Sequence, residues 1–431
     1  MRDLPTAAEN EFALRALAWA ARWPVVAWTT DNGFGAHVPH GGFPARLPVA
    51  RRPALTLHEP RGALARLRRY LARPWSGGPR ALLISYDFKT ALDQRLTSRH
   101  PDPIAWPLLT VLEPTLWLDF GSNTAIVGGV EADETARILA EITATPLPQP
   151  TASAGLTLTP RLPRTAYLRA AQAVREDIRQ GEVYELNLCQ EFYAEAARLP
   201  DLIGTYLALG ARSPTPFGGF WRVGPRYLLQ ASPERFCRLD GRVLRSQPIK
   251  GTAPRGATSK ADEANRAALL ADEKERAENL MIVDLVRNDL SRAGCRTGSV
   301  QVEELFGTYG FRHVWQMIWT VRGELPAGAG LAEVLAGLFP MGSMTGAPKR
   351  RATELIDQYE SSRRGLYSGA VGWLDASGDF DLSVVIRSLQ YRADTGYASF
   401  QVGSALTYNA DPAREYTECL LKARALREIL T

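Results

Sequence analysis

Short runs with period-two alternation, separated by longer stretches of helical periodicity, constrain this chain more than any other feature. The two periods demand sheets and helices that cover one another. Strand-like runs fall at 81–88 (ALLISYDF), 183–190 (VYELNLCQ), 227–230, 243–246, 371–374, 382–389 and 398–402. In VYELNLCQ, alternation puts Glu185 and Asn187 on one face and Tyr184, Leu186 and Leu188 on the other. Helical periodicity covers 62–72, and also a stretch that Thr165 can cap, with apolar positions Leu168, Ala171, Val174 and Ile178 before Gly181. The expected class is α+β, built on large, mostly antiparallel sheets.

A chain of 431 residues, 45% hydrophobic and 23% charged, can bury a large core. Its clearest compositional break is 144–163, where Pro146, Pro148, Pro150, Pro160 and Pro163 sit among Thr, Ala and Ser. We read it as a linker or crossover between an N-terminal α+β portion, 1–143, expected to intertwine with the core, and the core itself, 164–431. The net charge of +5 comes from arginines spread along the chain, with no basic run interleaved with aromatics, so nucleic-acid binding is not expected. Cys189, Cys237, Cys295 and Cys419 form no CxxC pair, which argues against a zinc site or a disulfide framework and for a reducing, cytoplasmic setting. The apolar stretch 12–28 is interrupted by Arg15 and Arg22 and preceded by Glu9 and Glu11, unlike a signal peptide. No run of about 18 uncharged apolar residues occurs, so no membrane span is expected.

Two predicted helices each carry glutamates three residues apart, on one ridge. The first, KERAENLMIVDLVRND, has Glu275 and Glu278; the second, DPAREYTECLLKAR, has Asp411 as cap, Pro412 in its first turn, then Glu415, Glu418 and Lys422. For either helix alone a solvated face is the ordinary explanation. Together, with no histidine in either helix, four carboxylates suit a hard oxygen-seeking ion, Mg²⁺ ahead of Zn²⁺.

Other candidates stand alone. The loop 339–349 (FPMGSMTGAPK) could offer backbone amides to an anion, or be a structural turn; its spacing is not that of a Walker A loop. Arg387 in VVIRSLQ needs a partner, either a substrate carboxylate or a structural acid. Glu234 in SPERF suits a general acid, though isolated glutamates are usually surface residues. Tyr367 reads as core more readily than as site, and Lys250 in QPIKGT as a solvated lysine.

Taken in order, GEVYELNL, SPERF, PIKGT, ERAENLMIVDLVRNDLSR, PMGSMTGAPK, GLYSGAVG, IRSL and EYTECLLKA resemble the chorismate-utilising enzymes, which include the anthranilate, aminodeoxychorismate, isochorismate and salicylate synthases. The resemblance runs from about Ala166 to the C-terminus. It implies two large antiparallel sheets stacked as a sandwich, helices outside and the active site between. It implies Mg²⁺ on Glu278 and Glu418, supported through water by Glu275 and Glu415, holding the ring carboxylate of chorismate. Arg387 and Tyr367 would take the enolpyruvyl carboxylate; Lys422, Thr345, Gly346, Thr252, Gly403 and Ser404 would lie near the substrate; Glu234 would protonate the departing 4-hydroxyl.

Within the family, members that add water or ammonia at C2 resemble PIAGT, whereas aminodeoxychorismate synthases resemble PIKGT. Lys250 therefore implies C4 amination, toward p-aminobenzoate and folate, through an adduct in which a tethered amine takes C2 first. Ammonia would be free or come from a separate glutamine amidotransferase subunit, because no glutaminase triad is recognisable; residues 1–143 would face that partner and regulators. The chain departs from the family at three places. Glu185 stands where water-activating members have a lysine base, Gln316 where many have histidine, with His313 three residues earlier, and Gly403-Ser404-Ala405 where three glycines are usual. The alternatives are C2 amination of the anthranilate synthase type, a non-catalytic subunit that kept the fold, and a nucleotide-binding protein.

Overall fold

The computed structural model describes residues 7–121, 124–151, 153–312 and 314–431, without the side chains of residues 7–10, 274, 275, 277 and 278. His313 and the carboxylates of Glu275 and Glu278 thus lie outside the described residues.

Two antiparallel sheets of eleven and ten strands form the frame. In the first, strand Glu185–Ala194 pairs with Tyr397–Leu406, and alternation sorts its side chains. Leu186 and Leu188 enter an apolar cluster with Tyr167, Ala171 and Val174 of helix Arg164–Arg179 and Ala423 and Leu426 of helix Pro412–Leu430. Cys189 belongs to a different cluster, with Met344 and Tyr367. Glu185, Asn187 and Cys189 therefore face the second sheet's side. Between the sheets, Val25, Ala27, Leu83, Leu228 and Val371 pack around Trp221 and Trp373, whose rings lie 5.9 Å apart.

The N-terminal portion is woven into both sheets. Val25–Thr30 pairs with Phe217–Val223 in the first, and Arg80–Ile84 with Ala370–Leu374 in the second. Residues 144–163 are docked: the Leu156 amide donates to the Leu430 carbonyl at 2.6 Å, and the Arg161 amide to Glu191 at 2.7 Å.

One departure from the sequence reading positions the site. The single strand expected over 382–389 is two strands in different sheets: Phe380–Val384 in the second, Ser388–Arg392 in the first. Arg387 lies in the break, at φ +49°, a left-handed conformation that ends the ladder. The neighbouring chain makes the same passage, from Arg226–Ser232 in the first sheet to Arg235–Asp240 in the second, with Glu234 in the break. The crossings lie side by side, since Val384 donates to the Glu234 carbonyl at 3.0 Å and Ala231 to the Arg387 carbonyl at 3.3 Å.

Local signals fare unevenly at helix ends. Asp411 caps its helix, accepting from the Ala413 and Arg414 amides. Thr165 does not cap: the helix begins at Arg164, with Pro163 at the cap position, because the proline's extended backbone already sets the entry. No described helix is long and apolar enough to cross a membrane.

Arg364 ties the strand to the loop. Its fully buried guanidinium donates to the Glu360 carboxylate, to the Met344 carbonyl at 2.7 Å and to the Asn187 carbonyl at 2.9 Å, while Glu360 also accepts the Cys189 amide. Replacing Arg364 with Met should destabilise the protein by about 3–5 kcal/mol, because Glu360 stays buried without its counter-charge. Urea unfolding checks this, and an unchanged midpoint would contradict it.

Candidate active site

The paired crossings present Glu234 and Arg387 outside any ladder. Burial pushes the Glu234 carboxyl up to about 7, against the Ser343 hydroxyl, which donates to Oε1 at 2.6 Å, and against the positive charges of Lys250, Lys422 and Arg387. Burial lowers the affinity of Arg387 for its proton, with the Glu234 charge opposing. Among the described residues the Arg387 guanidinium makes no hydrogen bond or ion pair, so it is available to an anion.

Lys250 arrives from strand Ile249–Pro254 by a bulge. Ile249 pairs with Ile318 but Thr252 with Gln316, so Lys250 and Gly251 oppose one residue, and Gly251 takes φ +85°. Such a bulge re-aims a side chain. The Lys250 ammonium donates to Glu185 Oε1 at 2.5 Å, with the side chains only 13% and 1% exposed. Glu185 is held in turn by the loop: Ala347 pairs with it, and Gly346, at φ +149°, comes so close that a Cβ would overlap the Glu185 carbonyl.

The third component is the helix Pro412–Leu430. Glu415, nearly buried, accepts from the Ser404 hydroxyl at 2.5 Å. Glu418 pairs with Lys422 at 2.7 Å; burial alone would raise its pKa, but Lys422, with help from Lys250 and Ser404, brings it below the usual value. Lys422 also donates to the Gly403 carbonyl at 3.0 Å. These two carboxylates on one helix ridge, with Glu418 held below its usual pKa, are oxygen donors that fit a hard cation such as Mg²⁺. Among the described residues no three carboxylate, imidazole or thiol groups gather on their own.

Other candidates are placed differently. Thr345 is fully buried and its hydroxyl donates to the Met341 carbonyl at 3.0 Å, so Thr345 and Gly346 shape the loop, and the hydroxyl that meets the acid is that of Ser343. Tyr367 is buried with its phenol 3.6 Å from Cys189 Sγ. Thr252 is exposed, opposite Gln316, which is buried with its Oε1 lacking a partner among the described residues. At Gly403 a Cβ would overlap Cys189 Sγ and Asn187 Oδ1.

Sequence reasoning passed over Ser343, although it quoted the loop that carries it, and passed over the buried pair of Lys349 with Asp289 at 2.6 Å that pins this loop to helix Glu273–Arg292. Asn187, whose amide donates to the Ser343 carbonyl at 3.0 Å, was visible only as a polar residue on the Glu185 face.

The chorismate binding enzyme family matches residues 49–428. This chain belongs to that family. It is 38% identical over 363 residues to an aminodeoxychorismate synthase of Streptomyces griseus, covering 80% of this chain and 49% of the relative. It is 43% identical over 268 residues to an aminodeoxychorismate synthase of Streptomyces pristinaespiralis, covering 61% and 36%, and 38% identical over 263 residues to an anthranilate synthase component 1 of Haloarcula marismortui, covering 61% and 53%. The chain thus spans about half, or less, of the length of these curated relatives. Among solved structures, anthranilate synthase component I from Streptococcus pneumoniae superposes with a TM-score of 0.73 at 25% identity, over 93% of this chain and 89% of that one. The family's fold of two large antiparallel sheets with flanking helices is the fold described above.

For this family member, the protonated Glu234 carboxyl should give an infrared carbonyl band, identified by its loss in Glu234→Gln, that titrates away around pH 7. Ser343→Ala should move that transition to higher pH, since losing a donor to the carboxylate disfavours the anion. A transition that stays put would mean the hydroxyl does not act on Glu234.

Proposed function

We propose that this chain replaces the 4-hydroxyl of chorismate with an amino group, giving 4-amino-4-deoxychorismate on the way to p-aminobenzoate. The observation that carries the reading is Lys250, withdrawn from solvent by a bulge and electrically coupled to Glu234. Overall identity does not decide between amination at C4 and at C2, because relatives of both names match to similar extents. The lysine in PIKGT supports C4, for the chemical reason that a tethered amine at C2 directs a second amine to C4.

In this reading Arg387, free of protein partners among the described residues, takes one carboxylate of the substrate. Mg²⁺ would be held by Glu278 and Glu418, with Glu275 and Glu415 supporting it through water, and would supply positive charge for the other. Lys250, as a neutral amine, bonds to C2 while Glu234 gives its proton to the 4-hydroxyl, which leaves as water. Ammonia then bonds to C4 and the C2–Nζ bond breaks. The chain takes ammonia free or from a separate glutamine amidotransferase, and works in the cytoplasm.

Three measurements test this. Lys250→Ala, assayed with chorismate, Mg²⁺ and ammonium, should lose the 4-amino product while a minor C2-substituted product appears; near wild-type C4 amination would overturn the covalent role. Glu234→Gln should slow turnover by roughly 10²- to 10⁴-fold with a smaller change in chorismate KM. Because the acid must be protonated while Lys250 must be neutral, the wild-type pH–rate profile at fixed free ammonia should bend near pH 7, and Glu234→Gln should lose that bend; a bend that persists in the variant would assign the proton elsewhere.

A further inference from the structure

Glu185 is only half engaged. Lys250 Nζ donates to Oε1 at 2.5 Å, while Oε2, equally buried, has no hydrogen-bond partner among the described residues. The side chain is 1% exposed, and its backbone is clamped by Ala347 and the close approach of Gly346. Such an oxygen is an acceptor awaiting a donor, since buried carboxylates are otherwise satisfied. The position of Nζ also marks where a primary ammonium group sits against this carboxylate.

We propose that Glu185 is the seat of the ammonium ion that becomes the amino group, and the acceptor of its proton. The inference rests on the reading of C4 amination through Lys250. When Nζ bonds to C2 it is drawn off Glu185, which leaves a buried carboxylate with both oxygens open to a new donor. Ammonium matches the departed group in charge and size, and carries N–H donors for both oxygens. An alkali cation matches the charge but has no proton to give.

The protons balance. Lys250 releases one to solvent before it attacks, and Glu234 gives one to the departing hydroxyl. Glu185 takes one from NH₄⁺, and the resulting NH₃ bonds to C4 as the C2–Nζ pair returns to nitrogen. The freed lysine recovers the proton from Glu185, restoring the resting ion pair, and the product leaves as its C4 ammonium. Glu234 is reprotonated from solvent, which matches the proton Lys250 released. The sum is chorismate plus NH₄⁺ giving protonated 4-amino-4-deoxychorismate plus water.

The test uses the full chain, ammonium chloride as nitrogen source, and Glu185→Gln. The variant should still form the Lys250 adduct from chorismate and Mg²⁺ when ammonium is withheld. Its KM for ammonium should rise about tenfold or more, the scale of losing one charge-assisted hydrogen bond, with chorismate KM little changed. Glu185→Asp, which keeps the carboxylate, should fall between the two and guards against a folding defect in the amide variant. An unchanged ammonium KM in Glu185→Gln would overturn the seat; so would adduct formation that fails in the folded variant, which would confine Glu185 to Lys250. A wild-type chain that forms no adduct would instead refute the covalent reading, while the ammonium KM would still decide the role of Glu185.

Discussion

The site depends on two neighbouring chains leaving one sheet for the other at the same place. Within a ladder, backbone groups are paired and side chains alternate between faces, so a charged residue there points into packed core. At the break both constraints lapse. Glu234 and Arg387 gain a polar space without a sheet having to accommodate them, and the hydrogen bonds from Val384 and Ala231 fix the two crossings against each other. The aromatic packing of Trp221 against Trp373 holds the sheets together elsewhere, so that the crossings need not.

Placing charge in that space is costly, and the structure offsets the cost locally. Removing a carboxylate or an ammonium from water carries a penalty of several kcal/mol that a single ion pair roughly balances. Lys250 with Glu185, Arg364 with Glu360 and Lys349 with Asp289 are three such pairs around one loop. The latter two have extra carbonyl acceptors and fix the loop; the first leaves one oxygen without a partner among the described residues, the opening the proposed chemistry would use. Glu234 lacks a full counter-ion, and for that reason it can hold a proton near neutrality.

The sequence disclosed elements better than junctions. Strand alternation around Glu185, the Asp411 cap and the two glutamate-bearing helices are local properties, legible from spacing. The break at Arg387 was not, because the β-branched run Val384, Val385, Ile386 leads straight into it and nothing in VVIRSL signals a change of sheet. Likewise Glu234 and Ser343 meet across 109 residues, a contact no local rule reaches. Family resemblance pointed to the loop 339–349 as a whole, and only the coordinates separate Thr345, whose hydroxyl serves the loop, from Ser343, whose hydroxyl serves the acid. Composition sets residues 1–143 apart at the proline-rich segment, and strand pairing crosses that boundary.

The central claim is that this arrangement places nitrogen on C4 of the ring. The most direct measurement is to supply ¹⁵N-ammonium, Mg²⁺ and chorismate to the purified chain and locate the label in the product by ¹⁵N–¹³C coupling. The account predicts coupling to C4 with the enolpyruvyl group retained. Label on C2, or an aromatic product from which pyruvate has been lost, would contradict it.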